Sequence, residues 1–278
     1  MKSPKEIVLE KKILYSLQAL CSEPEDPGKN AMYQLGILLA GDQEIQDIQD
    51  YANSVAIKRL GFNDHGPVHM RQVALNAMIM LDILHRKGIK TSLEEEETGT
   101  LQDSACGVLL ASFMHDLGMS VGRQDHELMS AMLAEPILKR LLAEIKGLSD
   151  KQRAIIHCLA MEGIAGHMAT RRIFSLEAGL VLIADGCDME KGRARIPLAL
   201  SGDEAHSGDI HKHSANSIEK VEIGEGELKP IRISVRMSSE VGCFQIEEVL
   251  LPKINMSPAK KYVELVALVG NESERRYL

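Results

Sequence analysis

The residues with the clearest chemical content are Phe113-Met114-His115-Asp116-Leu117-Gly118. An apolar run from Gly107 to Met114 leads straight into an imidazole beside a carboxylate. Gly118 then stops the element, as glycine does just past a helix end. Two ionisable side chains at the buried end of an apolar helix are costly unless something pairs with them. A divalent cation would do so, because imidazole nitrogen and carboxylate oxygen both ligate Zn-, Mn-, Fe- or Mg-type ions. A capped helix end with a solvated His-Asp pair would look the same in isolation. His69, His126, His157 and Asp185, however, also fall where an apolar helix meets a turn or within a buried-looking helix. Side chains aimed inward from separate helices are how bundle metal sites are made.

Helices must carry these groups, and the apolar spacing supplies them. Residues 5–21, 31–40 and 45–60 read as helices. A turn over Gly61–Pro67 follows, with Pro67 suited to open the next helix, 68–87. In that helix Val73, Ala77, Met80, Leu81 and Leu84 share a face with His69. Residues 90–100, with Glu94 to Glu97 in a row, read as an exposed acidic loop. The helix 101–114 delivers His115 and Asp116. Asp125 is expected to cap a helix opening at His126, which Pro136 interrupts before Lys146. Ser149 to Gln152 resembles a capping box and opens the helix that carries His157. Ser175 starts a last apolar helix, 176–188, presenting Asp185.

Past residue 200 the pattern changes. Ser, Gly, Asp and His dominate 201–217. Strand-like alternation then appears at 221–223 and 231–237, a short helix at 244–251, and a strand at 262–269. The expected fold is mainly α: a helical bundle followed by a small β-β-α-β unit. The divisions are N-terminal helices over 1–60, the metal-site body over 61–200, a linker over 201–217 and the small α/β domain over 218–278.

Composition fits that reading. The 278 residues are 45% hydrophobic but only 3% aromatic, with no Trp and 14 Met, so aliphatic helix packing must fill the core. A net charge of −8 argues against a broad nucleic-acid surface, while leaving room for a small anionic substrate. The five cysteines are scattered without C-x-x-C spacing, which is neither a disulfide framework nor a zinc ribbon. Residues 1–20 are charged throughout, unlike a signal peptide, and no apolar run approaches the roughly 18 residues of a membrane span. A cytoplasmic protein with no membrane partner is the expectation.

The order of these residues resembles the HD-domain superfamily of metal-dependent phosphohydrolases over roughly residues 60–200. The matching pieces are His65-Gly-Pro-Val-His69-Met-Arg-Gln-Val73, the doublet His115-Asp116, and Leu182-Ile-Ala-Asp185-Gly-Cys-Asp188-Met189. The resemblance implies that His69, His115, Asp116 and Asp185 hold one metal ion. Some members carry a second ion on two further histidines. By the same resemblance these are His126, in His126-Glu127-Leu-Met-Ser-Ala131, and His157, with Asp116 bridging; Cys158 departs from the family, standing where some branches have another His. One or two divalent ions per chain are therefore implied, with Mn, Fe, Zn, Mg, Ni and Co not distinguished.

His69 is preferred to His65 because the superfamily pattern has an aliphatic residue four positions after its His, as Val73 is here, and by the same resemblance His65 is assigned to the substrate side. His167, His206, His211 and His213 read as exposed loop histidines. Arg123, Arg193 and Arg195 are candidate binders of phosphate oxygens, since guanidinium suits planar oxyanions. An alternative for the last two is pairing with Asp188 and Glu190. Asp116, His126 and His157 would carry the catalysis: hydrolysis of a phosphate ester or diester of a nucleotide-like or other small phosphorylated substrate by metal-activated water. The chain lacks the Gly-Tyr-Pro signature of the cyclic-dinucleotide phosphodiesterases of this superfamily. It also lacks the Glu-Asp pair of the alarmone hydrolases. The rival expectations are a di-iron oxygenase on the same scaffold, and a nucleotide- or metal-sensing module without turnover. Strand edges in the C-terminal unit suggest a homodimer.

Overall fold

Short polar residues set the helix starts. In the computed structural model, which describes residues 2–20, 30–191, 214–270 and 274–278, Ser3, Asn30, Asp42, Thr100, Ser149 and Ser175 each accept a backbone N–H of the turn they open. The helices are α1 (Pro4–Ala19), α2 (Ala31–Gly41), α3 (Gln43–Lys58), α4 (Pro67–Arg86), the short α5 (Ser92–Glu95), α6 (Leu101–Met114), α7 (His126–Glu144), α8 (Asp150–Gly166) and α9 (Leu176–Cys187). The C-terminal unit contains β1 (Ile218–Glu225), β2 (Ile231–Met237), a helical crossover ending in α10 (Leu251–Met256), β3 (Val263–Val269) and β4 (Arg275–Arg276). The molecule is thus a helical bundle with a small α/β unit, as the sequence indicates. No helix among the described residues is long and apolar enough to cross a membrane.

Helix α6 is the axis of the bundle. Every residue from Asp103 to Met114 is buried, so it is apolar all round rather than amphipathic. It contacts α2, α4, α8 and α9. Small residues let α8 come close: a Cβ on Gly163 would stand 2.7 Å from the Ala111 Cβ, and one on Gly107 would stand 2.6 Å from Leu159 Cδ2. This approach brings the C-terminal ends of α6 and α8 side by side.

A buried polar chain fixes the next helices. Arg71, only 1% exposed, donates from Nε to Glu10 on α1 (2.7 Å) and from its guanidinium to Gln46 (2.9 Å) and Gln49 (3.0 Å) on α3. Gln49 in turn donates to the Phe113 carbonyl on α6 (2.7 Å). Satisfied on every side, such a network locks α3, α4 and α6 in one register.

In the C-terminal unit the sheet order is β1-β2-β3-β4. The outer pairs are antiparallel and β2/β3 is parallel. The parallel pair needs a long crossover, and residues 243–256 provide it in helical form. That crossover packs on α9, β1 packs on α4, and one hydrophobic cluster runs from Leu9 through the bundle to Ala267.

Several local expectations are corrected. Pro136 does not interrupt α7, which continues to Glu144. It lies on the exposed face beside Met132, where water can satisfy the carbonyl that loses its partner. Asp125 is no side-chain cap; it takes a left-handed conformation (φ 52°) that turns the chain into α7. The acidic stretch is not all loop, since Thr91 and Glu94 form a capping box for α5 and Leu93 is buried. Strand β4 was not expected.

Gly118 is needed for proximity rather than for conformation. A Cβ there would lie 2.0 Å from the His126 carbonyl oxygen and 2.6 Å from the Ser130 backbone nitrogen, and the Gly118 N–H donates to Ser130 Oγ (2.8 Å). Gly118→Ala is therefore expected to destabilise the fold by about 3 kcal/mol, the upper end for overpacking. Urea unfolding would measure it.

Candidate metal centre

Five helix ends converge below the turn after α6. His69 is the third residue of α4, His115 caps α6 with Asp116 next, His126 opens α7, and Asp185 lies in the last turn of α9. The fifth helix contributes His167, which caps α8. All four histidines and Asp116 are at most 3% exposed, and the Asp185 side chain is 11% exposed.

Each imidazole is oriented by its Nδ1. His69 Nδ1 pairs with Asp188 Oδ2 at 2.7 Å. His115, His126 and His167 direct Nδ1 at the carbonyls of Ser112 (2.9 Å), Arg123 (3.0 Å) and Ile164 (2.7 Å). These partners only accept, so each Nδ1 donates to its partner and Nε2 is left to face the centre. His69 Nε2 lies 3.2 Å from His115 Nε2, and His126 Nε2 lies 3.1 Å from His167 Nε2. Neither contact can be a hydrogen bond between neutral rings in those tautomers.

The carboxylates add acceptors to acceptors. Asp116 Oδ2 is 3.3 Å from His69 Nε2 and 3.4 Å from His115 Nε2, while Asp185 Oδ1 is 3.2 Å from His69 Nε2 and 3.8 Å from His115 Nε2. The other oxygen of Asp116, Oδ1, is 3.2 Å from His126 Nε2 and 3.3 Å from His167 Nε2. Two ligands bound to one ion at about 2.0–2.2 Å sit roughly 3.0–3.5 Å apart. Apart from the 3.8 Å pair, the spacings fall in that range. These buried groups could hold a metal ion. The two candidate groups, His69-His115-Asp185 and His115-Asp116-His167, share His115, whose ring lies 4.8 Å from that of His167.

Electrostatics keep both carboxylates ionised. Burial alone would raise the Asp116 carboxyl, but the His115 charge and the hydrogen bonds from His115, His126 and His167 hold it well below the usual carboxylate range. Asp185 is held down likewise: burial opposes, and Lys253, then His69 and His115, outweigh it. Burial lowers the His167 pKa despite its Asp116 partner, which keeps the ring in the neutral form a metal needs.

Most of the sequence candidates meet here; His157 does not. It sits on α8 with a 20% exposed side chain and pairs with Glu135 on α7 at 2.6 Å. Ten residues of helix separate it from His167, a rise of about 15 Å and a net rotation of roughly 80°, so one helix cannot bring both to one point. The expectation that His167 is an exposed loop residue is corrected as well. Its signal was available: it follows Gly166 at a helix end, as His115 follows Met114. Asp188 Oδ2 pairs with His69 Nδ1, a contact the sequence reading missed. Lys253, from α10, reaches Asp185 and donates to the His167 carbonyl (3.0 Å), which the sequence reading missed. His65 stands at the rim, its ring 5.8 Å from that of His69. Arg123 is exposed, with Nη1 3.4 Å from His126 Nε2 and its guanidinium 5.6 Å from the Phe62 ring. Arg193 and Arg195 lie outside the described residues.

The uncharacterized protein MJ1020 of Methanocaldococcus jannaschii is 42% identical to this chain over 240 residues, covering 84% of this chain and 88% of that protein. No family model matches the sequence, and no solved structure matches it.

His167→Ala is expected to lower the divalent-metal content of Mn²⁺-loaded protein, counted by elemental mass spectrometry, and His157→Ala to leave it unchanged. Equal losses in both variants would contradict the ligand sets.

Proposed function

The chain belongs to the family of MJ1020, and from the chemistry of its centre we propose that it is a dinuclear metal-dependent phosphohydrolase acting on a phosphate ester or diester of a small, nucleotide-like substrate. The observation that carries this is the buried convergence of four Nε2 atoms on the two oxygens of Asp116. Such an arrangement is well matched to two cations. His69, His115, Asp116 and Asp185 would hold the first ion. Asp116, His126 and His167 would hold the second, leaving it the more open side. The ligand order is the one implied by the HD-domain resemblance, with His167 in the role first given to His157. Ions bound there would lower the pKa of water and offset charge on a phosphoryl group.

The chain's own residues would do the rest. Asp188 keeps the His69 Nε2 aimed inward, and the backbone carbonyls do the same for the other rings; such partners orient ligands and raise their basicity. Arg123, exposed beside His126, is positioned to receive phosphoryl oxygens with its planar fork. Phe62, under that guanidinium and itself 39% exposed, offers an apolar ring at the rim against which a base can stack. His65 lines the same rim.

A panel of nucleotides and phosphodiesters with and without Mn²⁺ tests the reading. Asp116→Asn is expected to cut kcat/KM by more than about 100-fold, beyond the 10–100-fold typical of outer partners. Arg123→Ala should act mainly through KM. Pure protein that takes up no divalent ion, or activity unchanged in His115→Ala, would sink the proposal.

A further inference from the structure

Lys253 comes from the C-terminal unit yet lies within the metal centre. It is 7% exposed. Its Nζ donates to Asp185 Oδ2 and to the His167 carbonyl at 3.0 Å. One ammonium thus spans both ligand sets, on the side of Asp185 away from Oδ1, the oxygen that faces His69 and His115. The path for its stem is kept open by Gly186: a Cβ there would stand 3.2 Å from Lys253 Cδ and 3.1 Å from Leu250 Cδ1.

The charges give this placement a purpose. Asp116, Asp185, Asp188 and Glu127 bring four carboxylates to the centre, and each is at least mostly buried. With neutral imidazoles, two divalent ions would only balance them. The positive charge that an anionic phosphoryl group needs must then come from side chains, and among the described residues exposed Arg123 and buried Lys253 are at hand. A cation beside a metal ligand does not tighten metal binding, since like charges repel. Its benefit goes to the anion.

We propose that Lys253 is a positioning residue that holds Asp185 to one-oxygen ligation and supplies the positive charge that receives the substrate's phosphoryl group, so that the C-terminal α/β unit completes the site. This rests on the reading of the centre as a two-ion site. It makes the unit part of the binding apparatus for anions, through α10.

The test uses full-length protein, Mn²⁺ and inorganic phosphate as probes. Bound Mn²⁺ is counted by electron paramagnetic resonance, and phosphate affinity of the Mn²⁺-loaded protein is taken by calorimetry. Lys253→Gln keeps a hydrogen-bond donor and removes the charge. It is expected to bind Mn²⁺ as well as or better than the parent, and phosphate roughly tenfold or more weakly, as the loss of one charge at a few ångströms implies. Lys253→Arg should restore most of the phosphate affinity. Lys253→Met, which keeps the aliphatic stem, carries the same test if the glutamine variant does not fold. Loss of Mn²⁺ with unchanged phosphate affinity in the remaining loaded protein would make Lys253 a structural prop and overturn the proposal, as would no change in either. A protein that shows the expected split but hydrolyses no ester leaves this inference standing and sinks the proposed activity. One that hydrolyses esters while Lys253→Gln binds phosphate normally does the reverse.

Discussion

Four buried imidazoles with their protons turned outward are the constraint on which the structure depends. Each Nδ1 is committed to a carbonyl or to Asp188, so each Nε2 is turned into the centre. Imidazole nitrogens and carboxylates gathered in an apolar interior are costly to bury. The surrounding fold must hold them there against that cost. It does so with an all-buried helix, α6, with close α6–α8 packing over small residues, and with the satisfied chain through Arg71 and Gln49 to the Phe113 carbonyl.

This division of labour explains why the ligands sit at helix ends. A residue that caps a helix or opens one can turn its side chain along the axis, out of the packed body and into a shared chamber. Three of the four rings also find their orienting carbonyl only three residues upstream, so the tautomer is set locally. His69 has no such carbonyl and draws on Asp188, 119 residues further along the chain. Its orientation therefore depends on the docking of α9 against α4.

The C-terminal unit is joined to this arrangement rather than hung from it. Its hydrophobic residues continue the cluster of the bundle, and Lys253 enters beside Asp185 along the lane left by Gly186. A movement of α10 would be felt at a ligand directly, through one ammonium.

By itself the sequence located most of the helices, though not the continuity of α7 through Pro136 or the turn of α5, because apolar spacing, capping residues and glycines act within a few residues of one another. It also determined that His69, His115, Asp116, His126 and Asp185 were worth bringing together, since each stood at the end of an apolar run. It could not choose between His157 and His167. That choice depends on how far α8 extends and how it is rotated against α6, which only packing decides. Nor could it foresee that Asp188 turns back to His69, or that a lysine from beyond residue 250 reaches the centre. Those contacts join positions 68 to 119 residues apart, and no local pattern records a meeting that the tertiary fold alone creates.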